Sequence, residues 1–363
     1  MEEWKEYKLI DVCSRLKSGK SIKANLVFDK GKFPVIGGNG LRGYTNISNF
    51  QGECGVIGRQ GAYCGNVRYF EGEFYMTEHA IVVVGNEYAD TYYLTSLLSL
   101  MHLGNLSAQS AQPGISVQTL SKQNIVLPPI IYQKRVSKIL KSIDDKIEVN
   151  RGINEQLEEL AQALFKSCFV DFEPFKDGEF VDSELGMIPK GWKVGTLGEL
   201  IEIKYGKDHK KLSDGNIPVF GSGGIMRYVD KSLYEGESVL IPRKGTLNNV
   251  MYVNRDFWTV DTMFFTKMKV KDIAIFVYLF LSKKDLASMN SGSAVPSMTV
   301  EILNRIPLVI PSNNVFEDFN RIVSSLFSQM DNNIKEIHHL TTLRDTLLPK
   351  LMSGEIDVNE VEI

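Results

Sequence analysis

Ser110-Ala111-Gln112-Pro113-Gly114-Ile115-Ser116-Val117-Gln118-Thr119-Leu120 returns 183 residues later as Ser293-Ala294-Val295-Pro296-Ser297-Met298-Thr299-Val300-Glu301-Ile302-Leu303. The match extends outward. Phe33-Pro34-Val35-Ile36-Gly37 returns as Ile217-Pro218-Val219-Phe220-Gly221 at an offset of 184, and Val126-Leu127-Pro128 as Val309-Ile310-Pro311, again at 183. Two copies in 363 residues leave each enough chain for its own core. The period is too long, and the copies too few, for a solenoid. A pseudo-symmetric molecule is expected, suited to a target that presents two related surfaces in fixed geometry.

Each copy divides into two parts. The first, about Trp4–Pro129 and Trp192–Pro311, is rich in Gly, aromatic and β-branched residues. Short apolar runs such as Gly55-Val56-Ile57 and Ala80-Ile81-Val82-Val83-Val84 sit between Gly- and Asn-rich punctuation, which signals strands and turns. Thr91–Leu103 and Ile273–Leu286 are expected as short helices. Each first part is therefore expected to be an α+β (mixed α/β) globule with a twisted sheet.

The second part is a long helix. Apolar residues from Val136 fall at Ile139, Ile143, Ile153, Leu157, Leu160 and Leu164, with Lys146 and Asn150 interrupting the stripe. The second copy runs Phe316, Phe319, Val323, Leu326, Met330, Ile337, Leu340, Leu347 and Leu351, interrupted by Asn333 and Arg344. Steps of three and four over about five heptads predict a coiled coil, and buried Asn would fix its register. The two helices are expected to pair antiparallel, as a pseudo-twofold axis relating the copies would require. Prolines at Pro128, Pro129 and Pro311 suit helix starts. The expected division is a globule over 1–129, a helix over 130–170, an acidic connector over 171–190, a second globule over 191–312, a second helix over 313–352 and an acidic tail over 353–363.

Apolar residues at 43% and charged residues at 23% suit a water-soluble globular protein. The formal charge of −3 hides its distribution. Ten acids cluster in the connector (Asp171, Glu173, Asp177, Glu179, Asp182, Glu184) and the tail (Glu355, Asp357, Glu360, Glu362). Removing them from 44 acids leaves 34 against 41 basic residues, so the remainder is net basic. Cys13, Cys54, Cys64 and Cys168 form no paired framework and are expected as reduced thiols. Met1-Glu2-Glu3-Trp4-Lys5 has no apolar core of a secretory signal, and the longest apolar run, Ile273–Leu281, is too short to span a bilayer. A cytoplasmic protein with no membrane role is expected.

The motifs of catalysis are missing. An adenine methyltransferase should carry an Asn/Asp-Pro-Pro-aromatic tetrapeptide, whereas the one Pro-Pro lies in Leu127-Pro128-Pro129-Ile130. Gly37-Gly38-Asn39-Gly40 and Gly221-Ser222-Gly223-Gly224 complete neither a dinucleotide fingerprint nor a phosphate cradle, and read as turns. Cys54 and Cys64 lie apart from the isolated His79. Adjacent His338 and His339 face different ways on a helix, so no metal site is expected.

Other residues carry a family resemblance. Trp4-Lys5…Leu9 and Leu185-Gly186-Met187-Ile188-Pro189-Lys190-Gly191-Trp192 resemble the openings of the target-recognition domains in specificity subunits of type I restriction–modification systems. Arg59-Gln60-Gly61 and Arg243-Lys244-Gly245 resemble that family's Arg-x-Gly turn. Phe165…Phe169-Val170-Asp171-Phe172-Glu173-Pro174 resembles the end of its central helix, and Leu347-Leu348-Pro349-Lys350-Leu351-Met352-Ser353-Gly354-Glu355-Ile356 its C-terminal helix ending. The resemblance implies two recognition domains that each read one half of a split double-stranded DNA target. It implies long helices that hold the domains apart and bind two methyltransferase subunits, and assembly with restriction/translocase subunits in a bacterium or archaeon. The chain itself is expected to bind no cofactor and catalyse nothing; S-adenosylmethionine belongs to the partner methyltransferase.

The expected DNA-reading residues lie in the Gly-rich loops. In the first copy they are Lys20, Lys23, Asn39, Arg42, Tyr44, Arg59, Gln60, Tyr63, Asn66 and Gln112. In the second they are Lys207, Lys210, Ser222, Arg227, Tyr228, Arg243, Lys244, Asn248, Asn249 and Ser297. Arg suits guanine edges, Asn and Gln suit adenine, and Lys suits phosphates. The copies differ most in these loops, so a non-palindromic, bipartite target is expected. Two other functions stay open: a coiled-coil scaffold with paired ligand-binding domains, and a self-contained DNA methyltransferase or nuclease.

Overall fold

The computed structural model describes residues 4–107, 114–290, 297–356 and 358. The chain forms two compact units. Unit 1 holds residues 1–150 and 335–363, and unit 2 holds residues 151–334.

Unit 1 is built on eight strands: β1 (Lys5–Lys8), β2 (Cys13–Ser18), β3 (Phe33–Gly37), β4 (Gly40–Thr45), β5 (Phe50–Gly58), β6 (Val67–Met76), β7 (Ala80–Gly85) and β8 (Asn124–Leu127). Its helices are α1 (Thr91–Leu100), α2 (Val117–Ser121) and the first half of α3 (Ile130–Phe169). Six strands form one sheet in the order β2-β7-β5-β6-β3-β4, while β1 pairs with β8. All pairs are antiparallel except β3 with β6.

The run Ala80–Val84 lies inside the sheet, between β2 and β5, and both of its faces are covered. Ile81 and Val83 join Leu94 and Leu98 of α1 in one core. Ala80 and Val82 face the other way, onto Ile36, Phe50, Val56 and Phe74. Alternate residues of one strand thus feed two cores, as the period of two requires.

Unit 2 carries β9 (Phe180–Val181), β10 (Ile188–Pro189), β11 (Lys193–Thr196), α4 (Leu197–Leu200), β12 (Ile201–Tyr205), β13 (Ile217–Gly221), β14 (Gly224–Val229), β15 (Glu237–Pro242), β16 (Met251–Asn254), β17 (Trp258–Thr259), β18 (Met263–Met268), α5 (Ala274–Ser282), α6 (Val300–Asn304), β19 (Pro307–Ile310) and the first half of α7 (Asn313–Ser353). Its sheets run β12-β18-β15-β16 and β14-β13-β17, with β11 on β19. This is the strand order of unit 1, with β6 broken into β16 and β17. At the break, Gly72 of unit 1 is Arg255, whose side chain leaves for an ion pair with Asp331 at 2.6 Å. The segment 171–192 folds onto unit 2: β9 and β10 form a hairpin, and Phe172 and Phe175 pack edge-on against Trp192.

Within each unit the long helices run antiparallel. In unit 1, Arg344 of α7 meets Asp144 of α3, and Glu336 meets Asn150, so residue numbers rise along one helix as they fall along the other. In unit 2, Asn333 meets Asn154, and Phe319 meets Phe165 and Phe169. Asn150 and Asn333, 183 residues apart, are both buried, as the interrupted stripe predicts.

The stripe of α3 differs from expectation by one residue at several steps. It buries Val136, Leu140, Ile143, Ile147, Asn150, Ala161, Phe165 and Phe169, while Ile153, Leu160 and Lys146 face solvent. Unit 1 is closed by the end of α7. Leu351, Met352 and Val358 enter its core, and the Tyr132 hydroxyl donates to the carbonyls of Leu351 at 3.2 Å and Ile356 at 3.1 Å.

Candidate nucleic-acid interface

In unit 1 the ends of β2, β3 and β5 converge on the turn entering β7. Gly19 follows β2 so closely that a Cβ there would lie 2.3 Å from the Met76 carbonyl oxygen. Thr77 donates its N–H to Ile36 at 2.9 Å, and Arg59 donates to the His79 carbonyl at 3.0 Å. Unit 2 repeats this convergence. A Cβ on Gly206 would lie 2.0 Å from the Val260 carbonyl oxygen, and Arg243 donates its N–H to Thr262 at 2.8 Å. Loops therefore collect at one end of each sheet because the strands end there and the backbones touch.

The Arg-x-Gly turn sits at the centre of both loop clusters with the same main-chain bonding. The Arg59 carbonyl accepts from Ile115 at 2.9 Å, and the Arg243 carbonyl accepts from Met298 at 2.9 Å. Gln60 bridges to Gly114, and Lys244 to Ser297. Gly61 at φ +77° and Gly245 at φ +86° take the left-handed conformation that the turn needs. The frame is thus constant, while the side chains it presents differ.

In unit 1, Lys20, Lys23, Asn39, Arg42, Gln60 and Tyr63 are exposed, and Tyr44, Arg59 and Asn66 are half-buried. Tyr63 and Asn66 lie in the same turn as Arg59: Gly58 donates to the Asn66 carbonyl at 2.8 Å, and Asn66 to that of Tyr63 at 3.1 Å. Asn39 and Arg42 lie on the β3–β4 hairpin. Tyr44 is paired through its backbone to Phe28 at 2.8 Å. Lys20 is attached by its N–H to the Met76 carbonyl at 2.9 Å. Gln112 lies outside the described residues.

In unit 2, Lys207, Lys210, Tyr228, Lys244 and Asn248 are exposed. Ser222, Arg227, Arg243, Asn249 and Ser297 are half-buried. Several of them also hold the loops. Arg227 pairs with Asp214 at 2.7 Å and donates to the Leu212 carbonyl at 3.2 Å. Asn249 donates to the Ser222 carbonyl at 2.7 Å, and the Asn248 oxygen accepts from the N–H of Ala287 at 2.8 Å.

Three neighbours escape sequence reasoning. Arg68 of β6 reaches Asn39 at 3.5 Å. His79 Nδ1 lies 3.3 Å from Gln60 Oε1. Tyr205 lies under the Arg243 guanidinium, 5.3 Å from the ring centroid, a cation–π contact that leaves the guanidinium edge free of the ring. Nothing in the sequence places Arg68 beside the Gly37–Gly40 turn, where a Cβ on Gly40 would lie 2.7 Å from its Nη1. Among the described residues no group of three His, Cys, Asp or Glu is placed to hold a metal ion. No helix of the described residues is long and apolar enough to cross a membrane.

The family model of the type I restriction modification DNA specificity domain matches residues 1–159 and again residues 189–343. The chain is 28% identical over 302 residues to the MjaIX type I restriction enzyme specificity subunit of Methanocaldococcus jannaschii, covering 74% of this chain and 69% of that protein. It is 25% identical over 370 residues to a putative type I specificity subunit of Mycoplasma genitalium, covering 94% and 92%. The crystal structure of the S subunit of a type I restriction–modification system from M. genitalium shares the fold, with a TM-score of 0.64 at 20% identity over 96% of both chains.

Proposed function

The chain belongs to the type I restriction modification DNA specificity family, and from that premise we propose that it reads DNA for a larger assembly and makes or breaks no bond itself. Each globule reads one part of a split, non-palindromic site in double-stranded DNA. The observation that carries this reading is the duplicated Arg-x-Gly turn: the main chain of its arginine makes the same two hydrogen bonds in both units, yet it presents Gln60 and His79 in one and Lys244 and Thr262 in the other. A constant frame with different side chains suits two different base sequences.

Arg59 and Arg243 are the candidates for guanine edges, and Gln60 and Asn39 for adenine, where a bidentate pair discriminates by roughly 1–3 kcal/mol. Lys20, Lys23, Lys207 and Lys210 are placed to grip phosphates and set position. The long helices dock two methyltransferase subunits and, where present, restriction/translocase subunits. The exposed apolar residues Val149, Ile153, Leu160 and Ile334 on α3 and α7 support that docking. S-adenosylmethionine is held by the methyltransferase, and the assembly works in the cytoplasm of a bacterium or archaeon.

The test is to express the chain with its cognate methyltransferase and sequence the host methylome. The expected outcome is adenine methylation at a two-part asymmetric motif that disappears when the chain is omitted. Methylation at a continuous palindrome, or methylation independent of the chain, overturns the reading.

A further inference from the structure

Tyr252 of β16 stands where Tyr69 stands in β6. Tyr69 faces Gly55 across β5 and donates its hydroxyl to Glu53 Oε2 at 2.8 Å. Tyr252 faces Val239 across β15 and donates to Glu237 Oε1 at 2.5 Å. Sequence spacing and strand register agree on the equivalence.

In unit 1 an ammonium group completes this place. Lys141 of α3 sets its Nζ 5.7 Å from the Tyr69 ring centroid, donates to Glu71 Oε2 at 2.8 Å and reaches Asp145 Oδ1 at 3.5 Å. Unit 2 lacks that lysine. At the repeat offset Lys141 becomes Ser324, its acceptors Glu71 and Asp145 become Asn254 and Ser328, Asp144 becomes Phe327 and Tyr92 becomes Ile275, so the lysine and both of its carboxylates are gone, while Glu237 keeps the place of Glu53. The space is not refilled. A cavity of about 440 Å3 opens here, lined by Tyr252, Ile275, Tyr278, Ser324 and Phe327, within the roughly 300–1,000 Å3 of small-molecule sites.

Its walls favour a cation on an apolar stem. Tyr252, Tyr278 and Phe327 meet edge to face or tilted, with centroids 5.0–6.1 Å apart. Glu237 and Glu158 also line the cavity, and Glu158 Oε1 accepts from the Tyr278 hydroxyl at 3.0 Å. Neither carboxylate belongs to an ion pair among the described residues. The lining arginine, Arg255, is already neutralised by Asp331. Aromatic faces and half-buried carboxylates attract an ammonium group, and alkyl carbons behind it cover the apolar wall.

We infer that this cavity binds an alkylammonium group supplied from outside the chain, beside the ring that Lys141 approaches in the other unit but held by Glu158 and Glu237 instead. A free diamine or a lysine side chain of a partner polypeptide offers that chemistry. The test titrates the full chain calorimetrically with 1,4-diaminobutane, with Nα-acetyl-lysine N-methylamide and with the neutral 1,4-butanediol.

One amine or both should bind at one site per chain, at least about tenfold more tightly than the diol. A tighter diamine identifies a free ligand, and a tighter lysine derivative identifies a partner's side chain; either upholds the inference. Ser324→Lys, which restores the lysine from within, should weaken amine binding about tenfold or more while keeping cooperative thermal unfolding. Glu237→Gln provides a second variant, expected to weaken binding about fivefold or more. No saturable heat with either amine, equal affinity for the diol, or undiminished amine binding by folded Ser324→Lys or Glu237→Gln protein would overturn it.

Discussion

Arg344 of α7 donates to Asp144 Oδ1 of α3 at 2.8 Å, and the other oxygen of that carboxylate accepts from the Tyr92 hydroxyl of α1. One side chain thus joins both long helices to the globule of unit 1. Burial first, and then the Asp144 hydrogen bond, push the Tyr92 hydroxyl well above its ordinary pKa, so it remains a donor. Asp144→Ala leaves the Tyr92 hydroxyl without its acceptor and the Arg344 guanidinium with Asp345 alone, 2.8 Å away, and the expected loss is on the order of 1–2 kcal/mol. Arg344→Ala should cost about half as much, with a coupling near 1 kcal/mol in the double mutant. Urea unfolding followed by circular dichroism reads these values; additive losses would show that the groups act independently.

The α3–α7 seam of unit 2 holds a chain of amides. Gln329 donates to Asn333 Oδ1 at 2.8 Å, Asn333 donates to Asn154 Oδ1 at 2.8 Å, and Asn154 donates to the Met330 carbonyl at 3.2 Å. Asn333→Leu removes a donor and an acceptor at once and should destabilise by about 1–3 kcal/mol. Replacing Asn154 and Asn333 together with Leu turns the seam apolar and should recover that loss or exceed it. Thermal melts of the single and double variants decide the matter.

On the proposed function, base reading should divide by unit. Arg59→Ala should relax specificity in one half of the target and leave the other half intact, while Arg243→Ala does the reverse, each by about 1–3 kcal/mol. Lys207→Gln with Lys210→Gln should weaken binding to all sequences alike and reduce the salt slope by about 2. Binding to randomised DNA at several salt concentrations separates these behaviours. Loss of specificity in both halves from Arg59→Ala alone would contradict the division.

Thiol chemistry follows burial. Burial pushes Cys13 and Cys54 up from 9.0 to about 12. Both should stay unalkylated by iodoacetamide at pH 8.5 until the chain unfolds, because the thiolate is the nucleophile. The folded state holds these protons more tightly than the unfolded state does. Their contribution to stability is therefore complete below pH 9 and is lost as pH rises from 9 toward 12. Cys13→Ser with Cys54→Ser should flatten that alkaline decline in a pH series of urea midpoints.

Helix length should set the spacing of the proposed split site. Deleting one heptad from each of α3 and α7 removes about 10 Å of rise, close to three base pairs of DNA. Methylome sequencing should report a gap altered by a few base pairs, with the same bases read on either side. An unchanged gap would show that helix length does not set the spacing.

Much of this architecture is written in local pattern. The offset of 183 residues, visible at Val126-Leu127-Pro128, aligns α3 with α7 and places Asn150 beside Asn333 in the alignment. The Arg-x-Gly turns stand out because glycine is required at a left-handed position. The phase of α3 is harder: Ile153 and Leu160 extend a three-four stripe on paper, but Ala161, which no count of large residues selects, is the one buried. Arg227 has the chemistry of a base reader, and nothing near it in sequence discloses its ion pair with Asp214, thirteen residues earlier. The cavity beside Tyr252 becomes visible only once Tyr69 and Lys141, 72 residues apart, are seen to touch.

Unit 1 draws Leu351, Met352 and Val358 into the same core as Val136 and Leu140. The order of synthesis therefore inverts the order of completion. On a ribosome the earliest-made globule waits, its helix-facing apolar surface uncovered, while about 200 further residues are added, a delay of roughly 10–40 s at ordinary translation speeds. The later-made unit, contiguous from 151 to 334, can finish first. A nonsense or frameshift lesion near codon 340 would accordingly harm the half of the protein encoded farthest from it, and leave the uncovered apolar surface of that half to chaperones.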